Sequence, residues 1–300
     1  MRIVELSGGV GGARLGRGLA MLDDVDLTIV VNVGDDEEIH GLHVSPDLDT
    51  VTYTLAGEQG AEGWGRLGDT FRFNEELARF GVDNTFQLGD RDLALHVFRT
   101  TRLADGMPLS VVTSEICAAF GVETRVLPAT DDRVRTMVGI GEGMTLTFQE
   151  YFVYRGAADP VVSLSFQGAE NAKPAPAVID AITDSDLVVI GPSNPPLSIW
   201  PILAVPGLRD AVEEHPRVVA VSPLIGKRAI KGPLVEVMSS LGLPEGNLGV
   251  ARAYQGLLNG LVVDSGDDPW TSEGIELLST PILIREPEQA RRLAQEIVSW

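Results

Sequence analysis

The chain has 300 residues, 44% of them hydrophobic, with a mean hydropathy of +0.11 and a formal charge of −20. That composition supplies a large core as a single α/β domain over 1–300; the apolar runs are too short to span a membrane, and the acidity argues against a nucleic-acid partner. A lone Cys117 excludes an internal disulfide framework, and without a signal-peptide pattern the expected location is the cytoplasm.

An apolar run, RIVEL, breaks into Ser7-Gly8-Gly9-Val10-Gly11-Gly12-Ala13-Arg14 and then into a helical pattern. A buried strand, a glycine turn and a helix start are the parts of an anion site. Glycine lets the backbone approach a ligand, and the first helical N–H groups point outward without intrahelical partners. A bound phosphate or diphosphate is therefore expected at this loop, the alternative being a tight strand-to-helix turn alone. The loop is not a full dinucleotide fingerprint: Arg14 stands where the third small residue belongs, and the second strand, LTIVVN, ends in Asn32 rather than in an acid that would hold a ribose. No Gly-Lys-Ser/Thr follows, so it is not a Walker A loop. Nicotinamide cofactors are disfavoured.

Asp35 and Asp36 follow the second strand. Consecutive strand–helix–strand units without hairpin signals predict a Rossmann-like, doubly wound, mainly parallel sheet covered on both faces. Ligands of such sheets lie beyond the carboxyl ends of the strands, which puts residues 9–12 and 32–36 on one edge. Ser45-Pro46-Asp47 reads as a helix opening, with a serine cap and acids suited to the positive helix end. Asp49 sits in the same first turn, where one capping acid is enough. Paired carboxylates near phosphate oxygens are how proteins hold Mg²⁺.

A mostly helical insertion after strand 2 is predicted over about 50–125. Inside it, FQLGDRDLALH packs Asp90 and Asp92 around Arg91 at a loop-to-helix junction, with His96 one turn further on. His40 and His43 read as loop histidines. The run TLTFQEYFVY alternates as a strand. Residues 187–190 and RVVAV are further apolar strands, each leading into small polar residues, Ser193-Asn194 and then Ser222 to Gly226-Lys227. That is the form of a ligand rim, in which amides and hydroxyls meet a base or sugar and a lysine meets phosphate. EPEQARRLAQEIV is a helix with an ordinary core stripe. No Cys/His metal spacing and no nucleophile triad is visible.

The blocks SGGVGGARL, VVNVGDD, SPDLDTVTYTLAG, LGDRDLALH, LPATDD, FQEYFV, IGPSNPPLSI, PGLRDAV and VSPLIG followed by KGP, in this order over residues 5–265, resemble the 2-phospho-L-lactate transferase family of coenzyme F420 biosynthesis. The resemblance implies a Mg²⁺-dependent transferase. The terminal ribityl hydroxyl of the deazaflavin Fo attacks the phosphoryl group beside the lactyl or enolpyruvyl unit of a guanosine-diphospho donor, GMP leaves, and F420-0 or its dehydro form is made. It further implies Asp49 and Arg91 as catalytic, and Asp49, Gln87 and Asp90 against Fo. Gly9, Gly11, Gly12, Ser193, Asn194, Ser222, Gly226 and Lys227 would surround the donor, and Asp35, Asp36 and Asp49 the metal. The helical insertion would form the deazaflavin-side lobe, and a homodimer is expected. Archaeal members often carry lysine at the place of Gln87, so that contact keeps a hydrogen bond and loses a charge. Asp49→Ala is expected to abolish transfer and leave the fold intact. A rival reading of another class is a regulator on the same fold that binds a nucleotide sugar without turnover; release of GMP discriminates the two.

Overall fold

The computed structural model describes residues 1–61, 63–230, 232–267 and 274–300. Its central sheet holds seven parallel strands: β1 Arg2–Ser7, β2 Asp26–Val31, β3 Arg125–Pro128, β4 Leu187–Ile190, β5 Val218–Val221, β6 Gly260–Val263 and β7 Glu276–Ser279. Their spatial order is 3-2-1-4-5-6-7. The chain winds outward from β1 on one side and from β4 on the other, so strand order reverses between β1 and β4. Ligands of doubly wound sheets enter at that reversal, beyond the strand ends.

The strands are continuous apolar runs because helices cover both faces. Val4, Leu6, Val188 and Ile190 point into one core, while Ile3, Ile29, Val189 and Val221 point into the other. Helix α1, Gly9–Ala20, and the C-terminal helix Pro287–Ser299 cover the second face. They cross closely because α1 carries Gly18, where a Cβ would lie 2.3 Å from the Ala290 carbonyl oxygen.

Between β2 and β3 the chain runs through α2 Pro46–Ala56, α3 Arg72–Arg79, α4 Asp90–Ala104 and α5 Leu109–Ala119. Two local expectations are corrected. A short hairpin, Glu37–Ile39 paired with Leu42–Val44, precedes α2. Its turn places His40 and Gly41 at φ 52° and 76°, the left-handed pair that a two-residue hairpin requires. TLTFQEYFVY is not one strand: pairing stops at Thr147 and the chain coils through Glu150–Tyr154. The Glu150 carboxylate accepts the Thr147 N–H at 2.7 Å, and Phe148 and Phe152 stack with ring centroids 5.3 Å apart, a contact for helical rather than strand spacing. Among the described residues no helix is long and apolar enough to cross a membrane.

Candidate active site

The carboxyl ends of β1 and β4 open into a cavity of about 810 Å³. Gly8, Gly9 and Gly11 form one edge, Pro192, Ser193 and Asn194 the facing edge. The two loops are fastened to each other: the Gly8 N–H donates to Ser193 Oγ at 3.1 Å. A Cβ at Gly11 would lie 2.2 Å from the Pro192 carbonyl oxygen, and one at Gly12 2.3 Å from Ser7 Oγ. Gly11 is thus required by the protein's own backbone and Gly12 by the serine side chains beside it. Gly9, at φ +66° with open space where a Cβ would stand, is the glycine that faces the cavity freely.

Asp47 does not cap its own helix. Its Oδ1 accepts the Gly9 N–H at 2.7 Å and its Oδ2 accepts Asn32 Nδ2 at 2.9 Å, so it ties the start of α1 to the end of β2. Nor does Ser45 cap α2; its hydroxyl donates to Asp36 Oδ2 at 2.7 Å, where His43 Nε2 also lies, at 3.0 Å. Asn32, at the place of a ribose-binding acid, is consumed by structure: its Oδ1 accepts the Gly34 N–H. Burial pushes the Asp47 carboxyl up to about 6 against the pull of Asn32 and Gly9. Burial, then the nearby Asp47 charge, raises Asp35 well above the carboxylate range. Asp35 lines the cavity, and its Oδ1 is buried without a hydrogen-bond partner, as is Asp36 Oδ1.

The opposite wall is a charged network on α2 and α4. Arg99, 1% exposed, forks onto Asp49, with one nitrogen 3.1 Å from Oδ2 and the other on Oδ1. His96 stands between Arg99, 3.4 Å from its Nδ1, and Asp92, 3.3 Å from its Nε2. Tyr53 donates its hydroxyl to the other Asp92 oxygen. Burial raises the Asp49 carboxyl, with Arg99 and His96 pulling against it. Burial acts on Asp92 too, but His96 and Tyr53 outweigh it and hold that carboxyl below its usual range.

The LGDRD block is an interlock between two helices. Asp69 accepts the N–H groups of Arg91 and Asp92 at the start of α4, at 2.7 and 3.1 Å. Gly89 makes room for it, since a Cβ there would lie 2.0 Å from Asp69 Oδ2. In return Asp90 accepts the N–H groups of Arg72 and Phe73 at the start of α3. The Arg91 guanidinium donates to the Leu67 carbonyl oxygen at 2.9 Å rather than ordering Asp90 or Asp92.

Of the residues singled out from the sequence, Gly9, Gly11, Asp35, Asp49, Gln87, Ser193, Asn194 and Ser222 line the cavity. Gly12, Asp36, Asp90, Arg91, Gly226 and Lys227 are not part of its lining. Gly226 donates its N–H to Asp267 instead, and Ser222, though at the wall, spends its hydroxyl on Asn247. Lys231, in the KGP block, lies outside the described residues. The sequence reading missed Arg99 altogether and left His96 as an undecided packed residue. Their spacing with Asp92, four and then three residues apart on α4, is the signal that puts all three on one helix face.

Comparison with known proteins agrees with this architecture. Residues 3–276 match the family described as 2-phospho-L-lactate transferase CofD. A phosphoenolpyruvate transferase of Streptomyces griseus subsp. griseus is 44% identical over 316 aligned positions, covering 99% of each chain. A 2-phospho-L-lactate transferase of Methanopyrus kandleri is 42% identical, covering 99% of this chain and 97% of its own. A crystal structure of a upf0052 family member from Bacillus halodurans shares the fold, with a TM-score of 0.66 at 17% identity over 99% of this chain and 98% of that one. A parallel sheet reversing at a glycine loop, an acidic wall across the cavity and whole-length similarity agree: the chain is a transferase belonging to the 2-phospho-L-lactate transferase CofD family.

Proposed function

We propose that this protein transfers a 2-phospho-L-lactyl or phosphoenolpyruvyl group from a guanosine-diphospho donor to the terminal ribityl hydroxyl of Fo, releasing GMP and giving coenzyme F420-0 or its dehydro form. One observation carries the reading: a single cavity has the glycine loop and the Pro192–Asn194 rim on one wall and Asp49, Asp92 and His96 on the other. Displacement at phosphorus needs both reactants held side by side, and most of the catalysis is positioning and charge stabilisation. The donor diphosphate meets the outward N–H groups of the first turn of α1, beside Gly9 and Gly11, with Ser193 and Asn194 toward the guanosine. Fo enters from the helical lobe, past Phe86 and Gln87.

Mg²⁺ fits the acidic loop, because Asp35 and Asp36 are adjacent carboxylates that each keep a buried oxygen without a hydrogen-bond partner. Asp35 and Asp36 are the proposed holders; Asp49, expected with them from the sequence, is forked by Arg99 and groups with Asp92 and His96 instead. Bound there, the ion would offset negative charge on the phosphoryl oxygens. The acceptor oxygen forms its bond to phosphorus as the bond to the GMP oxygen breaks, and the hydroxyl proton passes to the carboxylate cluster around Asp49. Arg91 acts at a distance, by fastening the loop whose Asp69 holds the start of α4 and thereby Asp92.

The test supplies Fo, MgCl₂ and each donor in turn, with GMP measured by chromatography and product by mass spectrometry. GMP release that requires Fo, with a phosphodiester product, is the expected result. Tight binding of a UDP-sugar with no GMP from any donor would replace this reading with the regulator.

A further inference from the structure

We infer that Arg99 is a positioning residue for the transfer: a resident cation that fixes both the plane of Asp49 and the tautomer of His96 beneath the acceptor half of the cavity. The inference rests on the transferase reading for its kinetic consequence and on geometry alone for the tautomer. Arg99 does not line the cavity, whereas Asp49, His96, Asp92 and Tyr53 all do. It is buried and reaches three elements at once: Asp49 on α2 through its fork, His96 one turn earlier on α4, and the His43 carbonyl oxygen of the hairpin at 3.5 Å.

A guanidinium only donates hydrogen bonds, and its planar fork matches a carboxylate in one orientation. The geometry therefore points to the His96 nitrogen facing it as an acceptor, although Asp49 Oδ2 also lies 3.8 Å from that nitrogen. That makes Nδ1 the bare nitrogen and puts the ring proton on Nε2, which faces Asp92 at 3.3 Å. Asp92 in turn accepts from Tyr53. Arg99 thus sets which nitrogen of His96 is turned toward Asp92, the carboxylate that Tyr53 also holds. Asp49, Asp92 and His96 bring ligand atoms within 4.8 Å of one another, a spacing that would suit a metal ion. The guanidinium already supplies positive charge to that group, whereas Asp35 and Asp36 each keep an oxygen without a partner.

The experiment pairs ¹⁵N-histidine NMR with steady-state kinetics on wild type, Arg99→Lys, Arg99→Met and Asp49→Asn/Arg99→Met. In wild type, neutral His96 is expected as the Nε2–H tautomer, and this is lost in Arg99→Met. Arg99→Met should lower kcat at least a hundredfold with the donor KM within threefold, and Arg99→Lys should recover at least tenfold of that. Adding Arg99→Met to Asp49→Asn should cost little more. A wild-type Nδ1–H tautomer, or a folded Arg99→Met enzyme within threefold of wild-type kcat, overturns the inference. Should Arg99→Met fail to fold, the wild-type tautomer and the Arg99→Lys kinetics decide. Wild-type protein that releases no GMP removes the transferase reading instead, while the NMR result still judges the geometry.

Discussion

The two walls of the cavity are built on different principles. The wall at the β1–β4 reversal is made of backbone: glycines packed against carbonyls and hydroxyls, with Asp47 and Ser193 pinning the amides of Gly9 and Gly8. The wall on α2 and α4 is made of paired charge, with Asp49, Arg99, His96, Asp92 and Tyr53 in one buried chain. A backbone wall is intolerant of added volume, whereas a charged wall fails when one partner is removed. Conserving the shape of the first and the pairing of the second are separate demands on the sequence.

The sharpest break comes from Asp49→Ala. The expectation that it spares the fold is corrected by Arg99, which would be left buried without its carboxylate. Losing one partner of such a pair costs about 3–5 kcal/mol, so urea denaturation should show a large drop in stability along with lost transfer. An unchanged midpoint would mean that Arg99 finds another partner. The second break is by pH. Burial raises Asp47 to about 6, so its contribution to stability is complete below its ordinary carboxylate value and is lost as pH rises through 6. The swing is on the order of 3 kcal/mol. Without divalent ions, wild type should therefore melt higher at pH 5 than at pH 7.5, and Asp47→Asn should reduce that difference but not remove it, because burial also raises Glu5 and Asp35.

Gly11→Ala tests the backbone wall alone. Its Cβ would collide with the Pro192 carbonyl at 2.2 Å. A cost of about 1–3 kcal/mol is expected, with weaker GDP binding and unaltered deazaflavin binding in calorimetry. Equal losses for both ligands would deny that the walls act separately. The smallest effect belongs to Gln87→Lys at the mouth of the charged wall. A partly exposed charge there is worth about 0.2–1 kcal/mol, so acceptor affinity should rise a few-fold at low salt and lose that gain as salt is added.

Much of the backbone wall was legible, because its causes are local. A strand, a glycine turn and a helix follow one another in residues 2–20, and the topology brings Ser193 and Asn194 to them. Ser45 and Asp47 were misread because capping is also local, and a serine before proline looks the same whether it caps α2 or reaches Asp36. The charged wall was half visible. Asp49 stood out as an acid more than a cap needs, but its partner lies 50 positions away and no period in the sequence links them. Asp90 and Arg91 are the conspicuous charges in LGDRD, yet the residues of that block at the cavity wall are Leu88 and Asp92. Adjacent opposite charges suggested a pair, while backbone N–H groups and a carbonyl offered better geometry.

The central claim is that two walls of one cavity hold two different ligands. Hydrogen–deuterium exchange with GDP alone, Fo alone and both together, in the presence of MgCl₂, tests it directly. GDP should protect residues 8–14 and 191–198, Fo should protect 46–53 and 85–96, and the pair should protect all four segments more than the sum of the two. Protection by both ligands of the same segments, or of neither wall, would contradict it.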